Sequence, residues 1–237
     1  MPSTVLKGQD METRYAPSHV DFDLLWGWSG ARSISRGLPM PVRDRGGMRV
    51  DTDSPEERRR FLFTSPSPLI RALAHETDEP HVAIKLCGPA HQLLELVPPG
   101  WTLQPQAYLM IQAERADPLP VVPAGYRIDL VDHDAASSVQ IVAEDGSLAA
   151  SGHAAEYGGV FIVDRIATAA AHRRRGLGTA LMAALGATQR SQTARRVLTA
   201  TEDGRALYTT LGWTVLSPYA TVISQGRAAV NGAAATL

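Results

Sequence analysis

Three consecutive arginines, Arg173, Arg174 and Arg175, run directly into Gly176-Leu177-Gly178-Thr179, a short step after the apolar run Val160-Phe161-Ile162-Val163. Residues of these types in this order suit the capture of an anion. A helix N-terminus presents unpaired backbone N–H groups, and glycine lets that backbone approach a phosphate with no Cβ in the way. The helix dipole contributes only ~0.3–1 kcal/mol, rising to ~2 when partly buried, whereas micromolar binding needs ~8 kcal/mol. The arginines and several amide hydrogen bonds must supply the rest. Proton-handling groups flank the segment: Asp164 lies nine residues before Arg173, His153 and Glu156 lie just upstream, and Tyr208 stands four residues before Gly212-Trp213.

The elements that must position these residues can be read from periodicity. A strand is expected over Val160–Thr168, leading into the glycine segment, and Leu177, Leu181, Leu185 and Thr188 recur at helical spacing over Leu177–Arg190. Upstream, Tyr126–Leu130 reads as a strand. Ser138–Ala143 and Ser147–His153 read as a hairpin about Asp145-Gly146, a strong type I′ turn signal. Downstream come a strand at Val197–Thr201, a helix at Arg205–Leu211 closed by Gly212, and two terminal strands, Trp213–Leu216 and Tyr219–Ile223.

The earlier part of the chain is also mixed. Helices are expected at Phe22–Ser35, Pro68–His75 and near His91–Leu96, with strands at Gly46–Asp51, Arg60–Phe63, His81–Leu86 and Ala107–Gln112. Prolines at 118, 120 and 123 mark a connector. The division is therefore a flexible N-terminus 1–20, an α/β region 21–117, a linker 118–125, a second region 126–225 and an alanine-rich tail 226–237.

Bulk composition narrows the classes. In 237 residues, 44% are hydrophobic and 20% charged, which suits a packed core. The formal charge of −1 provides no basic field for nucleic acid or anionic lipid, so neither partner is expected. A single cysteine, Cys87, excludes an intramolecular disulfide, and no cluster implies a metal. With no apolar stretch long enough to cross a membrane and no signal-peptide pattern at the start, a cytoplasmic protein is expected.

Arg173-x-x-Gly176-x-Gly178 after a strand resembles the pyrophosphate loop of the GNAT superfamily of acyl-CoA N-acyltransferases. Arg205 to Trp213 is similar to that family's second signature, a helix with a tyrosine four residues before a glycine and an aromatic. The resemblance spans roughly Tyr126 to Ile223. It implies an α/β fold with a mixed, mostly antiparallel central sheet flanked by helices. It also implies acetyl-CoA, or another acyl-CoA, as co-substrate. Ile166, Ala167 and Thr168 then fall where the family's strand splays to pair with pantetheine amides, and Arg173, Arg174, Arg175, Gly176, Leu177, Gly178 and Thr179 fall on the pyrophosphate. The element order of 21–117 is similar to the later region without the glycine loop, which suggests a degenerate copy.

The resemblance implies transfer of an acetyl group to a primary amine by direct attack in a ternary complex. An ammonium with pKa near ~10.4 is neutral about once in 2500 molecules at pH 7, so a base or water relay is needed. Asp164 occupies the family's position for such a group, with Glu156 and His153 as alternatives and a purely structural ion pair as the competing role. Tyr208 occupies the position that protonates the departing thiolate, the competing role being a packed core tyrosine. Two departures stand out. Only seven residues separate Leu130 from Ser138, too few for the two helices that usually build the acceptor site, so the N-terminal half or another subunit of a homodimer must complete it. Glu202-Asp203 replaces an asparagine that often contacts the cofactor. A small-molecule amine is the leading acceptor; a protein or peptide amine, and a non-catalytic acyl-CoA sensor, are the other readings.

Overall fold

A computed structural model describes residues 20–112, 119–133 and 135–226. The expected flexible ends, 1–20 and 226–237, and the start of the 118–125 linker lie almost wholly outside the described residues. In chain order the elements are α1 (Phe22–Arg36), β1 (Val42–Asp44), β2 (Gly47–Asp51), β3 (Arg59–Phe63), α2 (Pro68–Glu76), β4 (Val82–Cys87), α3 (Ala90–Leu94), β5 (Trp101–Leu103) and β6 (Ala107–Gln112). They continue as β7 (Tyr126–Asp132), β8 (Ala136–Ala143), β9 (Leu148–Tyr157), β10 (Val160–Thr168), α4 (Leu177–Gly186), β11 (Arg195–Thr201), α5 (Glu202–Thr210) and β12 (Thr214–Ser224), with a short 3₁₀ turn at Ala170–His172.

One 12-stranded sheet runs β1-β2-β3-β4-β12-β6-β11-β10-β9-β8-β7, with β5 also paired to β12. Neighbours are antiparallel except β3 with β4 and β10 with β11. This is the mixed, mostly antiparallel α/β architecture expected. The two halves of the chain interleave in it. β6, from before the proline connector, lies between β11 and β12, while β12, from the end of the chain, pairs with β4.

Burial explains how the layers form. α4 and α5 cover one face through Leu177, Leu181, Leu185 and Tyr208, packed on Phe161, Val163 and Leu198. α1 covers the other face, where Leu24, Leu25, Trp28 and Ala31 recur at helical spacing over Ile162, Val197 and Leu109. α2 and α3 complete a third cluster over Phe61, Ile84 and Val222. Small residues let α1 sit unusually close: a Cβ on Gly30 would come 2.3 Å from Tyr157 Cδ1, and one on Gly27 2.6 Å from Val160 Cγ2. Larger residues there would push the helix off the sheet.

Three expectations need correction. α4 stops at Gly186, not Arg190, because the chain turns at Ala187 and Thr188 Oγ1 caps the Leu185 carbonyl at 2.7 Å. The two terminal strands are one, β12, whose register shifts between Val215 and Ser217 beside Pro218, a residue that reads as a strand break. β5 is a strand that the pattern did not suggest. Among the described residues no helix is long and apolar enough to cross a membrane, and no group of three metal-ligating side chains occurs.

Candidate functional site

β10 pairs in parallel with β11 only through Val160, Phe161 and Ile162, although it continues to Thr168. From Val163 onward its β11-side edge has no strand partner, so β10 and β11 open into a fork. On the other edge β10 stays with β9 but shifts register between Asp164 and Ala167. The bulge turns on Arg165, at φ 54°, a conformation costing a non-glycine residue about 1–2 kcal/mol. Ile166, Ala167 and Thr168 therefore lie on the segment whose β11-side edge is open, while Ala167 and Thr168 stay paired with β9 on the other edge.

The loop after β10 prepares a helix start. Gly176 is the N-cap of α4 at φ 78°, with no side chain capping the first amides. A Cβ on Gly176 would meet nothing within 4 Å, so the glycine is needed for backbone conformation, not for packing inside the protein. Gly178 is tighter: a Cβ there would come 3.2 Å from Leu207 Cδ2 of α5. Arg173, Arg174 and Arg175 are exposed, Leu177 is buried as the helix anchor, and Thr179 is exposed on its first turn. The segment thus offers uncapped amides, a permissive glycine and cations at the mouth of the fork, and its chemistry fits a pyrophosphate.

Residues not singled out from sequence pin this loop. Arg175 Nη1 donates to the Tyr126 hydroxyl at 2.9 Å, and that hydroxyl lies 3.0 Å from His172 Nδ1. Because arginine has only donors, Tyr126 accepts from it, and the direction of the Tyr126–Nδ1 hydrogen bond follows the imidazole tautomer. The other imidazole nitrogen lies 3.3 Å from Ser147 Oγ, which donates to Asp145 at 2.6 Å. Strand β7 and the β8–β9 turn are tied to the loop by this chain.

The proton-handling candidates separate in space. Asp164 is 9% exposed and takes two hydrogen bonds from Arg36 of α1, Nε to Oδ2 at 2.5 Å and Nη2 to Oδ1 at 2.9 Å. Arg32 Nε is 3.6 Å away and Arg165 Nε 3.9 Å. Burial pushes the carboxyl pKa up, but the Arg36 hydrogen bonds and the charges of Arg32 and Arg165 hold it below the ordinary value. So clamped an aspartate has little affinity for a proton, which suits it to fixing α1 and not to serving as a base. His153 pairs across the strand from Asp164. Burial, then Arg165, lowers its pKa against the pull of Asp164, keeping the imidazole neutral at pH 7.

Glu156 is not at the fork. It pairs with Phe161, where β10 and β11 are still joined, and accepts from the backbone N–H of Arg190 and Ser191 at 3.2 and 3.3 Å. It caps the turn after α4, near the closed end of the fork and away from the glycine loop.

Tyr208 lies on the α4 side, buried, with its ring 6.4 Å from that of Trp213. Burial, assisted by the charge of Asp164, pushes its pKa up to about 12, so the phenol keeps its proton at neutral pH. A cleft of about 310 Å³ follows α4 past Thr179 and Met182, between Phe161 and Val163 of β10 and Trp213. Val163 of the opened strand and Thr179 of α4 line this cleft, while Asp164, His153 and α1 lie on the other face.

Residues 136–215 match the sequence model of the Acetyltransferase (GNAT) domain. No curated protein matches the chain at a significant level. Among solved structures, a GCN5-related N-acetyltransferase from Kribbella flavida aligns at TM-score 0.59 and 20% identity, over 84% of this chain and 95% of its own. One from Sphaerobacter thermophilus aligns at 0.53 and 13%, over 76% of each chain. A tandem GNAT protein from the clavulanic acid biosynthesis pathway aligns at 0.51 and 14%, over 76% of this chain and 78% of its own. The fork, its bulge and the glycine-capped helix all fall inside the matched segment, so this chain carries a GNAT acetyltransferase domain over residues 136–215, set in a fold shared with GCN5-related N-acetyltransferases.

Proposed function

We propose that the chain transfers the acetyl group of acetyl-CoA to the primary amine of a small molecule, by direct attack while both are bound. The observation that carries this reading is the parting of β10 from β11 after Ile162, beside an uncapped helix start. The opened backbone from Val163 to Thr168 suits pantetheine amides, and the amides of 176–179 with Arg173 and Arg174 suit the pyrophosphate. The apolar cleft along α4 gives the arm a berth. We read 126–225 as the transferase half and 21–117 as a degenerate counterpart that contributes to the acceptor site through α1.

In this scheme the amine nitrogen bonds to the acetyl carbon as the C–S bond breaks. His153, neutral and beside the fork, takes the proton that nitrogen loses, and Tyr208 gives its proton to the leaving sulfur. Exchange with water restores both. Close seating of α1 leaves no wide groove on the acceptor face, which favours a compact acceptor over an extended peptide.

The test is direct. At about a hundred times its dissociation constant, acetyl-CoA should stabilise the protein by ~2.7 kcal/mol in thermal unfolding. With a suitable amine, free CoA and a product heavier by one acetyl group should appear together by mass spectrometry. No thermal shift would sink the cofactor reading, and hydrolysis without acetylated product would sink the transfer.

A further inference from the structure

The charges on the α1 side of the fork do not balance. Around Asp164 stand three guanidiniums, Arg32, Arg36 and Arg165, against one carboxylate. One layer deeper, Arg60 and Lys85 share a single carboxylate, Glu57, at 2.6 and 2.8 Å. Arg32 feels both layers: burial and then Arg36 bring its pKa down to about 10, with Arg60 adding to the effect and Asp164 opposing it. Its Nε is buried without a hydrogen-bond partner, and so is the hydroxyl of Tyr219, which is 4% exposed and stacks edge-on against Trp28 beneath the Arg32 guanidinium. Surplus buried charge is costly unless something of opposite sign arrives, and orphaned polar atoms carry their full desolvation penalty.

The outer members of the group can be reached. The side chain of Arg36 is 26% exposed and that of Arg165 41% exposed. Arg36 spends Nε and Nη2 on Asp164, and Arg165 spends Nη2 on Ser35. A guanidinium has five N–H donors, so each keeps donors in hand, and their planar geometry matches a carboxylate. The phosphates of the co-substrate do not answer this charge, since their site is the loop beyond the end of β10.

We propose that the acceptor amine carries a carboxylate, which docks on Arg36 and Arg165 beside the fork and places the amine at His153. The inference rests on the amine-acetylation reading above. The same cations favour the neutral amine over the ammonium, so they assist the nucleophile as well as hold its partner group. A diamine would enter this field with the wrong sign.

The experiment compares amines in pairs that differ by one carboxylate, the second member having none: lysine with cadaverine, ornithine with putrescine, and phenylalanine with phenethylamine. Free CoA and acetylated product are followed at fixed acetyl-CoA. The carboxylated member should have the higher kcat/KM by about tenfold to a hundredfold in the pair nearest the true acceptor, as expected for a charge-assisted contact. Arg165→Gln should narrow that ratio about tenfold, and Arg165→Lys should recover part of it. Acetylation of both members at equal rates, or a preference for the decarboxylated one, would overturn the carboxylate inference and leave acetyl transfer standing. No acetylated product from any of these amines, with acetyl-CoA still bound by calorimetry, would overturn the transfer reading and this inference with it.

Discussion

The two parallel strand pairs of the sheet have different ends. β3 and β4 stay in register over five residues, from Arg59 opposite Val82 to Phe63 opposite Leu86, and remain closed. β10 and β11 hold only three, then part. Counted from the first pair, the fifth residue is Phe63 in one and Asp164 in the other, both buried. Each first strand leads to a helix. In the closed pair Ser67 caps α2 by accepting from Leu69 N at 3.2 Å, with Pro68 next, whereas the open pair ends in Gly176, whose α4 has no side-chain cap. Similar element order thus gives a self-satisfied structure in one half and, in the other, a set of unmet donors beside a gap.

Four substitutions test that contrast. The largest effect is expected from Asp164→Asn, which leaves Arg32 and Arg36 facing each other without a counter-charge: a loss of about 3 kcal/mol, or a Tm lower by about 6–12 °C. The Asp164 pKa is lower in the folded chain than in the unfolded one. Its contribution is therefore fully present above the ordinary aspartate range and disappears as pH falls through the lowered native value. Acid titration of stability should be shallower in the variant. An unchanged Tm at pH 7 would mean the clamp is not structural.

Gly176→Val comes next. With φ at 78° and open space around the Cβ, the change strains the loop by about 1–2 kcal/mol without a clash inside the protein. Acetyl-CoA affinity should fall about a hundredfold by calorimetry; affinity equal to the parent would remove the loop from the binding site. Tyr208→Phe should lower kcat by about a hundredfold, the low end for acid catalysis because a thiolate is already a fair leaving group, with acetyl-CoA binding intact. Full kcat with chemistry rate-limiting would make this tyrosine structural. The smallest effect belongs to Ser67→Ala on the closed side, about 1 kcal/mol of stability with no change in acetyl-CoA affinity or kcat. Altered affinity there would join the two helix starts functionally and break the contrast.

Local patterns in the sequence carried far. β10 spans Val160–Thr168 as its apolar run suggests, Asp145-Gly146 makes its hairpin, and the glycine loop stands at the start of α4. Long-range pairing was not legible, because hydrophobic alternation says that a strand is half-buried but not which strand lies beside it. Nothing in Ala107–Gln112 marks it as the neighbour of β11. The clamp on Asp164 was missed for the same reason. Arg32 and Arg36 are four apart on one helix face, a spacing visible in the sequence, yet their partner lies 128 residues from Arg36. The loop pin through Tyr126 and His172 needs a tertiary contact as well. Glu156 shows the converse: a titratable residue near a motif in sequence can be engaged elsewhere, here by the backbone N–H groups of Arg190 and Ser191.

Interleaving of β6 and β12 bears on how the molecule is made. During synthesis β6 leaves the ribosome well before β11 and β12, the strands that flank it, and β4 waits for the last strand of all. Neither half can complete its hydrogen-bonded edges until the other exists. High sequence separation of contacts slows folding, and the waiting strands are exposed to wrong partners meanwhile. The finished sheet should therefore melt as one cooperative unit, with no intermediate retaining only one half, and a chain shortened before β12 should fail to settle even its N-terminal strands.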